Sequence, residues 1–297
     1  MYDVIIVGSG MAGVSAALTL QLHKKNILWL GSPELSEKIR KAERIRNYPG
    51  LSDISGEAFV ETLKNQVAEA GLVITDEMAT GVYAMGDKFT VLTEKGSYDG
   101  LTVVVTTGVE SAKSVAGEEK FVGRGVSYCA TCDGFLYKGK TIAVVATSEE
   151  KEGEVEYLAS LAEKVYFFPQ YKNVGVNLPN VEIITEKPKE IAGVRRVEKL
   201  LTETREFAVE CVFFLKNAMA PSVLVGGIKA EGGHVVVNRD MSTNLKGCFA
   251  AGDCTGAPYQ YAKAAGEGNV AAHSVVGYLR ELSLKKRAEE AAKKNEQ

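Results

Sequence analysis

An internal repeat constrains this 297-residue chain more than any other feature. Shifting the sequence by 138 positions lays IAVVATSEEK (Ile142 to Lys151) over VIIVGSGMAG (Val4 to Gly13), and VYFF (Val165 to Phe168) over ILWL (Ile27 to Leu30). Each copy runs from a short β-branched apolar strand through an amphipathic segment to a second apolar strand, the pattern of a buried parallel βαβ unit. The chain is longer than most single domains, so two α/β units are expected, one built on each copy.

The copies differ at the turn between strand and helix. The first holds Gly8, Gly10 and Gly13 in a G-x-G-x-x-G pattern. Glycines at those places permit a tight turn, close approach of backbone to a pyrophosphate and close helix–strand packing. Free N–H groups at the helix start then face the phosphates. The acidic residue that ordinarily meets a ribose after the second strand is missing, because the chain reads Leu30-Gly31-Ser32, which leaves Ser32 or Glu34 as the substitute.

In the second copy Ala146, Ser148 and Lys151 stand at the glycine positions and crowd the path a pyrophosphate would take. Thr147-Ser148-Glu149-Glu150 fits a T-x-x-E capping box, in which the helix satisfies its own first N–H groups. A glutamate about 5 Å from a phosphate costs roughly 3 kcal/mol at an effective dielectric near 20. Two would cancel most of the roughly 8 kcal/mol of a micromolar ligand. The second copy is therefore expected to keep the outline of a dinucleotide-binding unit and to have lost its dinucleotide.

Between the copies lies SYCATCDG, with Cys129 and Cys132 in C-x-x-C. Two intervening residues bring sulfurs within bonding reach, and a helix start or nearby cation activates a thiol, so the pattern suits dithiol chemistry. Asp133 follows, as a proton shuttle or as a simple turn residue. A structural zinc site needs four ligands. There is no second C-x-x-C, and His23, His234 and His273 are isolated in sequence, so no metal is expected. Cys211, Cys248 and Cys254 are read as buried thiols. A net charge of −3 supplies no cationic field for nucleic acid or anionic lipid. No apolar run approaches the roughly 18 residues of a membrane span, and MYDVIIVG enters a strand without a signal-peptide pattern. A cytoplasmic protein without nucleic-acid or membrane partners is expected.

At SYCATCDG the chain resembles the low-molecular-weight flavoprotein thioredoxin reductases, from Met1 to about Leu282. VGSGMAG, RNYPG (Arg46 to Gly50), TTGVE (Thr106 to Glu110) and GCFAAGDCTGAPYQYAKAAGEGNVAA (Gly247 to Ala272) carry the likeness further. The resemblance implies an α/β fold of two Rossmann-like (FAD/NAD(P)-binding) domains, the second inserted into the first. Residues 1–112 plus 241–297 would form the FAD domain, and 113–240 the redox-cysteine domain with a degenerate NADPH-binding fold. It further implies that Gly8, Gly10, Ala12 and Gly13 cradle the FAD pyrophosphate; Gly31 and Ser32, after the second strand, are the candidate cofactor contacts read from the residues themselves, with Glu34 as the alternative to Ser32. Asn47 would lie near the flavin, and Asp253 and Gln260 at its ribityl and ring. Cys132 would face the flavin, Cys129 attack the partner disulfide, and Asp133 act as acid–base residue, in a homodimer.

Departures from that family narrow the expectation. ATSEEK replaces a glycine-rich second turn, and PQY (Pro169 to Tyr171) replaces a basic HRR segment, so both NADPH handles are absent. The sequence is therefore similar to the ferredoxin-dependent flavin branch, in which one-electron carriers reduce FAD directly. Lys38, where the family has Gly-Gly-Gln, is expected to reach the flavin. The expected electron path is reduced ferredoxin, FAD, the Cys129–Cys132 disulfide, then thioredoxin. The alternatives are another donor, NADPH or a reduced deazaflavin, and a non-catalytic flavin redox sensor. Arg40, Lys41, Arg44 and Arg46 read as a solvated charged face, with a docking patch for an acidic ferredoxin as the alternative. The polar run Lys285 to Gln297 is expected to be a solvated helix end, with a tail over the flavin as the alternative.

Overall fold

The computed structural model describes residues 1–108, 115–128, 130–216 and 220–295. Two compact units divide the chain, Met1–Val109 with Ala220–Gln297, and Glu110–Met219.

In the first unit the strands Thr75–Asp76, Ile27–Gly31, Tyr2–Val7, Ser97–Val105 and Cys248–Ala250 run parallel in that order. Ala79–Met85 and Lys88–Thr93 extend the sheet as an antiparallel meander. Val4, Ile5, Ile6, Val103, Val104 and Val105 are fully buried. Such continuous apolar runs suit strands covered on both faces. The helix Met11–Leu22 is buried along most of its length because the long C-terminal helix, Tyr261–Asn295, packs against it. Ser15 Oγ donates to the Ala265 carbonyl (2.6 Å), and Asn269 Nδ2 donates to Thr19 Oγ1 (3.0 Å). A Cβ on Gly268 would lie 2.2 Å from the Ala12 carbonyl oxygen, so only glycine allows the helices to approach this closely.

The second unit is an all-parallel sheet in the order Val181–Ile183, Lys164–Pro169, Thr141–Ala146, Cys211–Leu215, Val126–Ser127. The helix Glu152–Leu161 buries Val155, Leu158 and Ala159 in a core with Ile142, Val144, Val165 and Phe167. Phe207, from a three-stranded antiparallel sheet, packs on Tyr166 and Phe168 with ring centroids 5.0 and 5.2 Å apart. The repeat is visible in the strand register. Val4 pairs with Ile27 in the first unit, and Ile142 pairs with Val165 in the second, the same offset at both ends.

Residues 220–240, expected with the cysteine unit, belong to the first. Leu224 and Val225 are buried there, Val225 forms a bridge to Val82, and the Gly226 N–H donates to the Val82 carbonyl at 3.0 Å. This apolar docking onto the strand Ala79–Met85 moves the unit boundary back to residue 220. The terminal helix is continuous to Asn295 and exposed from residue 283 to residue 290. At 1.5 Å per residue it carries Lys285 about 36 Å from Tyr261, away from the loop that precedes the helix. A tail folded over that loop is thus not what this helix builds.

Cys211, Cys248 and Cys254 are buried free thiols, and burial pushes Cys248 and Cys254 up to about 12. His23 and His273, far apart in sequence, pack against each other with rings edge to face at 5.3 Å. Among the described residues no helix is long and apolar enough to cross a membrane, and no cluster of residues suited to a metal ion occurs.

The helix crossing gives a paired prediction. Gly268→Ala should lower unfolding free energy by about 1–3 kcal/mol through overpacking. Gly266→Ala, whose Cβ meets nothing within 4 Å, should be neutral or stabilising by up to about 1 kcal/mol. Denaturant titration of both variants checks the contrast.

Candidate active site

The glycine turn of the first unit is fixed by its own backbone. Gly8, at φ 115°, donates its N–H to the Leu30 carbonyl (2.9 Å), and its carbonyl accepts from Trp29 Nε1 (2.9 Å) and Thr106 Oγ1 (3.0 Å). A Cβ there would lie 2.4 Å from the Thr106 carbonyl oxygen, and one on Gly13 would lie 2.1 Å from that of Gly8. Gly10 differs, because a Cβ at Gly10 would meet nothing within 4 Å. The first helical hydrogen bond runs from Val14 N–H to the Gly10 carbonyl (3.0 Å). The N–H groups of Met11, Ala12 and Gly13 precede it, as donors a helix cannot satisfy itself. The Ala12 methyl is buried against Gly252, so of this residue the N–H is left to meet a ligand. Nearby, Thr107 Oγ1 is buried without a hydrogen-bond partner among the described residues.

Gly31 faces the same turn, since a Cβ on it would come within 2.8 Å of Ser9 Oγ. Ser32 Oγ accepts from the Glu34 N–H (3.2 Å), while the Glu34 carboxylate is held by Lys64 and Arg40, each at 3.0 Å. Hydrogen bonding to Lys64, then its charge, lowers the Glu34 pKa. Of the two substitutes for the missing ribose acid, Ser32 is the less committed.

Two bonds join the segment after the second strand to the loop after Cys248–Ala250. Lys38 Nζ meets Asp253 Oδ2 at 2.6 Å, and Asn47 Nδ2 donates to Gln260 Oε1 at 2.7 Å. Lys38, Asn47, Asp253 and Gln260 are therefore one cluster, although they lie more than 200 residues apart in pairs. Sequence reading missed what holds it. Lys263 Nζ donates to the carbonyls of Gly252 (3.0 Å) and Gly256 (2.6 Å) and to Thr255 Oγ1 (3.0 Å). Glu267 Oε2 accepts from the Gly252 N–H and from Thr255 Oγ1, both at 2.8 Å. The i, i+4 spacing of Lys263 and Glu267 was the available signal. His234 also joins the neighbourhood, its Nε2 lying 2.6 Å from the Tyr259 hydroxyl.

The run Arg40 to Arg46 is not the bare cationic face its sequence suggests. Arg40 pairs with Glu34, Lys41 with Glu37, and Arg44 and Arg46 both with Asp53. Hydrogen bonds from Arg44 and then Arg46 lower Asp53 to about 2. Arg40 also lies 3.9 Å from Glu61, so the four cations face four carboxylates, Glu34, Glu37, Asp53 and Glu61.

In the second unit Cys132 sits on the helical turn Ala130–Asp133, whereas Cys129 lies outside the described residues. Ser127 Oγ donates to Asp133 Oδ2 at 2.7 Å, tying the strand before the motif to the residue after it. Phe135 and Leu136, on the next turn, are each 68% exposed, an apolar pair at the surface beside the motif. The expected capping box does not form as read. Both the Thr147 N–H (3.1 Å) and the Thr147 hydroxyl (3.4 Å) face the Leu215 carbonyl, because Thr147 continues the strand edge. The helix instead opens with a tight turn, Glu149–Lys151, ahead of Glu152–Leu161. Glu152 Oε1 accepts from the Tyr171 hydroxyl (2.8 Å) and the Gly175 N–H (2.9 Å), and Lys151 pairs with Glu154 (2.7 Å). Tyr171 belongs to the PQY segment, so both altered stretches of the second repeat are fastened to each other.

The family model for pyridine nucleotide-disulphide oxidoreductases matches residues 2–146 and 172–268. The chain belongs to this family. It is 31% identical to the thioredoxin reductase of Treponema pallidum, over 94% of this chain and 97% of that one. A crystal structure of a ferredoxin-flavin thioredoxin reductase from Clostridium acetobutylicum superposes with a TM-score of 0.86 at 41% identity, covering 95% of this chain and 99% of that one. A thioredoxin reductase from Gloeobacter violaceus follows at TM-score 0.73 and 28% identity, covering 94% of each chain. This family member is a flavin-dependent disulfide oxidoreductase of the thioredoxin reductase type, with FAD as cofactor. The first unit fits that cofactor, with open space at Gly10, three orphan N–H donors and an unpartnered Thr107 hydroxyl.

Gly10→Val should separate fold from ligand. The open surroundings leave stability unchanged, while the added side chain enters the phosphate path and weakens FAD binding by tenfold or more, about 1.4 kcal/mol. Flavin fluorescence titration of the apoprotein alongside thermal melting reads both.

Proposed function

We propose that this enzyme passes electrons from reduced ferredoxin, by way of FAD, to the Cys129–Cys132 disulfide and on to thioredoxin. The observation that carries the donor assignment is the state of the second repeat's turn. Where a dinucleotide phosphate would need free N–H groups and glycine, Glu149 and Glu150 are exposed, and Glu152 is tied to Tyr171 and Gly175. Exposed carboxylates are screened by salt, yet two of them beside a diphosphate still oppose it. The likeness to ferredoxin-flavin thioredoxin reductase at 41% identity supports the same reading.

FAD, when bound, supplies the conversion between single electrons and an electron pair. The chain's own part is binding, orientation and proton handling. The Gly8–Gly13 turn offers N–H donors to the pyrophosphate. Lys38, Asn47, Asp253 and Gln260 hold the polyol and ring region, with Lys263 and Glu267 fixing the loop that carries Asp253. Cys129, as thiolate, attacks the thioredoxin disulfide. Cys132 then displaces the mixed disulfide, so that the dithiol is oxidised and thioredoxin reduced by two electrons. Asp133, oriented by the Ser127 hydroxyl, accepts and returns the proton. Phe135 and Leu136 offer the incoming protein an apolar surface beside the motif. On the family resemblance the enzyme works as a homodimer, and the sequence pattern places it in the cytoplasm.

Anaerobic absorbance titration tests this reading. Reduced ferredoxin should bleach the flavin and sustain thioredoxin reduction, and Cys129→Ser or Cys132→Ser should each abolish that turnover while leaving bleaching intact. Turnover at the parental rate in both cysteine variants would contradict it.

A further inference from the structure

The second unit contains a buried ion pair that the steps above do not use. Lys216, 4% exposed, follows the strand Cys211–Leu215, and its Nζ lies 2.7 Å from Oε1 of Glu118, itself 2% exposed. The same Oε1 accepts from the Tyr128 hydroxyl (2.7 Å), and Oε2 accepts from the Val115 N–H (2.9 Å). The Lys216 ammonium also stands 4.7 Å above the Phe214 ring and 5.9 Å from that of Tyr128, which stack on each other at 5.9 Å. Taking two charges out of water is costly, and apolar residues of similar volume often serve stability as well. A pair kept at that cost is informative for what it fixes in place.

What it fixes is the approach to the redox motif. Tyr128 directly precedes Cys129 in the chain, and Glu118 and Lys216 are 98 residues apart. One carboxylate therefore binds the segment before the strand Val126–Ser127, the residue before the first cysteine, and the end of the neighbouring strand. The Ser127–Asp133 bond adds a second tie, across the flanks of the motif. We propose that Lys216, Glu118 and Tyr128 are positioning residues for the Cys129–Cys132 pair, holding its N-terminal flank so that the two thiols close readily into a disulfide. This rests on the reading of that pair as the redox couple. The closing equilibrium measures the effective concentration of one thiol at the other, which falls when a flank is released.

The test equilibrates FAD-loaded protein in glutathione redox buffers and traps the thiols for mass spectrometry. Glu118→Leu with Lys216→Met replaces the pair by apolar groups, and Tyr128→Phe removes one hydroxyl. Both should shift the disulfide-forming equilibrium about tenfold toward the dithiol, about 30 mV for a two-electron couple. The double variant should melt within a few degrees of the parent. Parental equilibrium constants in both variants would overturn the proposal, because a merely structural pair predicts that outcome once stability is restored. Should the double variant fail to fold, Tyr128→Phe decides alone. If the parent forms no Cys129–Cys132 disulfide in any buffer, the functional reading fails instead.

Discussion

The helix after the first strand of each parallel unit begins with N–H groups that have no acceptor inside the helix, and something must meet them. In the first unit the N–H groups of Met11, Ala12 and Gly13 precede the first helical bond, a Cβ at Gly10 would meet nothing within 4 Å, and an anion is the natural partner of such a helix start. In the second unit the same place carries Glu149, Glu150 and a tight turn, with Glu152 bonded to Tyr171 and Gly175. One backbone geometry thus occurs twice, once with open space at its glycine and once with carboxylates at the same place. This contrast between the two turns is what the proposed electron route rests on: exposed carboxylates where a diphosphate would need N–H donors.

The first site also depends on the two ends of the chain meeting. Gly268 lets the terminal helix lie against the helix Met11–Leu22, and the Ala12 methyl sits on Gly252. That contact brings the loop with Asp253 to the glycine turn, and Lys263 and Glu267 then hold the loop's carbonyls and N–H from the following helix turn. Packing of small residues thereby decides where the carboxylate and amide groups of the site stand. The cysteine unit uses a different device, a buried carboxylate and ammonium that fix the flank of its motif.

Local pattern was readable in the sequence; partners from far along the chain were not. The apolar runs marked the strands and the repeat spacing, and the structure gives both copies the same register, Val4 with Ile27 and Ile142 with Val165. The T-x-x-E box failed because Thr147 lies one residue too far into the strand and faces the Leu215 carbonyl, which local spacing does not reveal. The basic run from Arg40 to Arg46 lost its apparent charge to Glu34, Glu37 and Asp53, which folding brings alongside. Residues 220–240 group with the first unit through docking on Val82, a contact across more than 140 positions that local pattern does not show. Glu118 with Lys216 escaped notice for the same reason, each looking like an ordinary surface charge until the sheet buried it.

On the proposed electron route the second repeat keeps its strands and helix and seats no nicotinamide dinucleotide. Isothermal titration calorimetry of the FAD-loaded enzyme with NADPH should then show no saturable heat into the millimolar range. A micromolar isotherm that changes when Glu149 and Glu150 are replaced by glutamine would contradict that route.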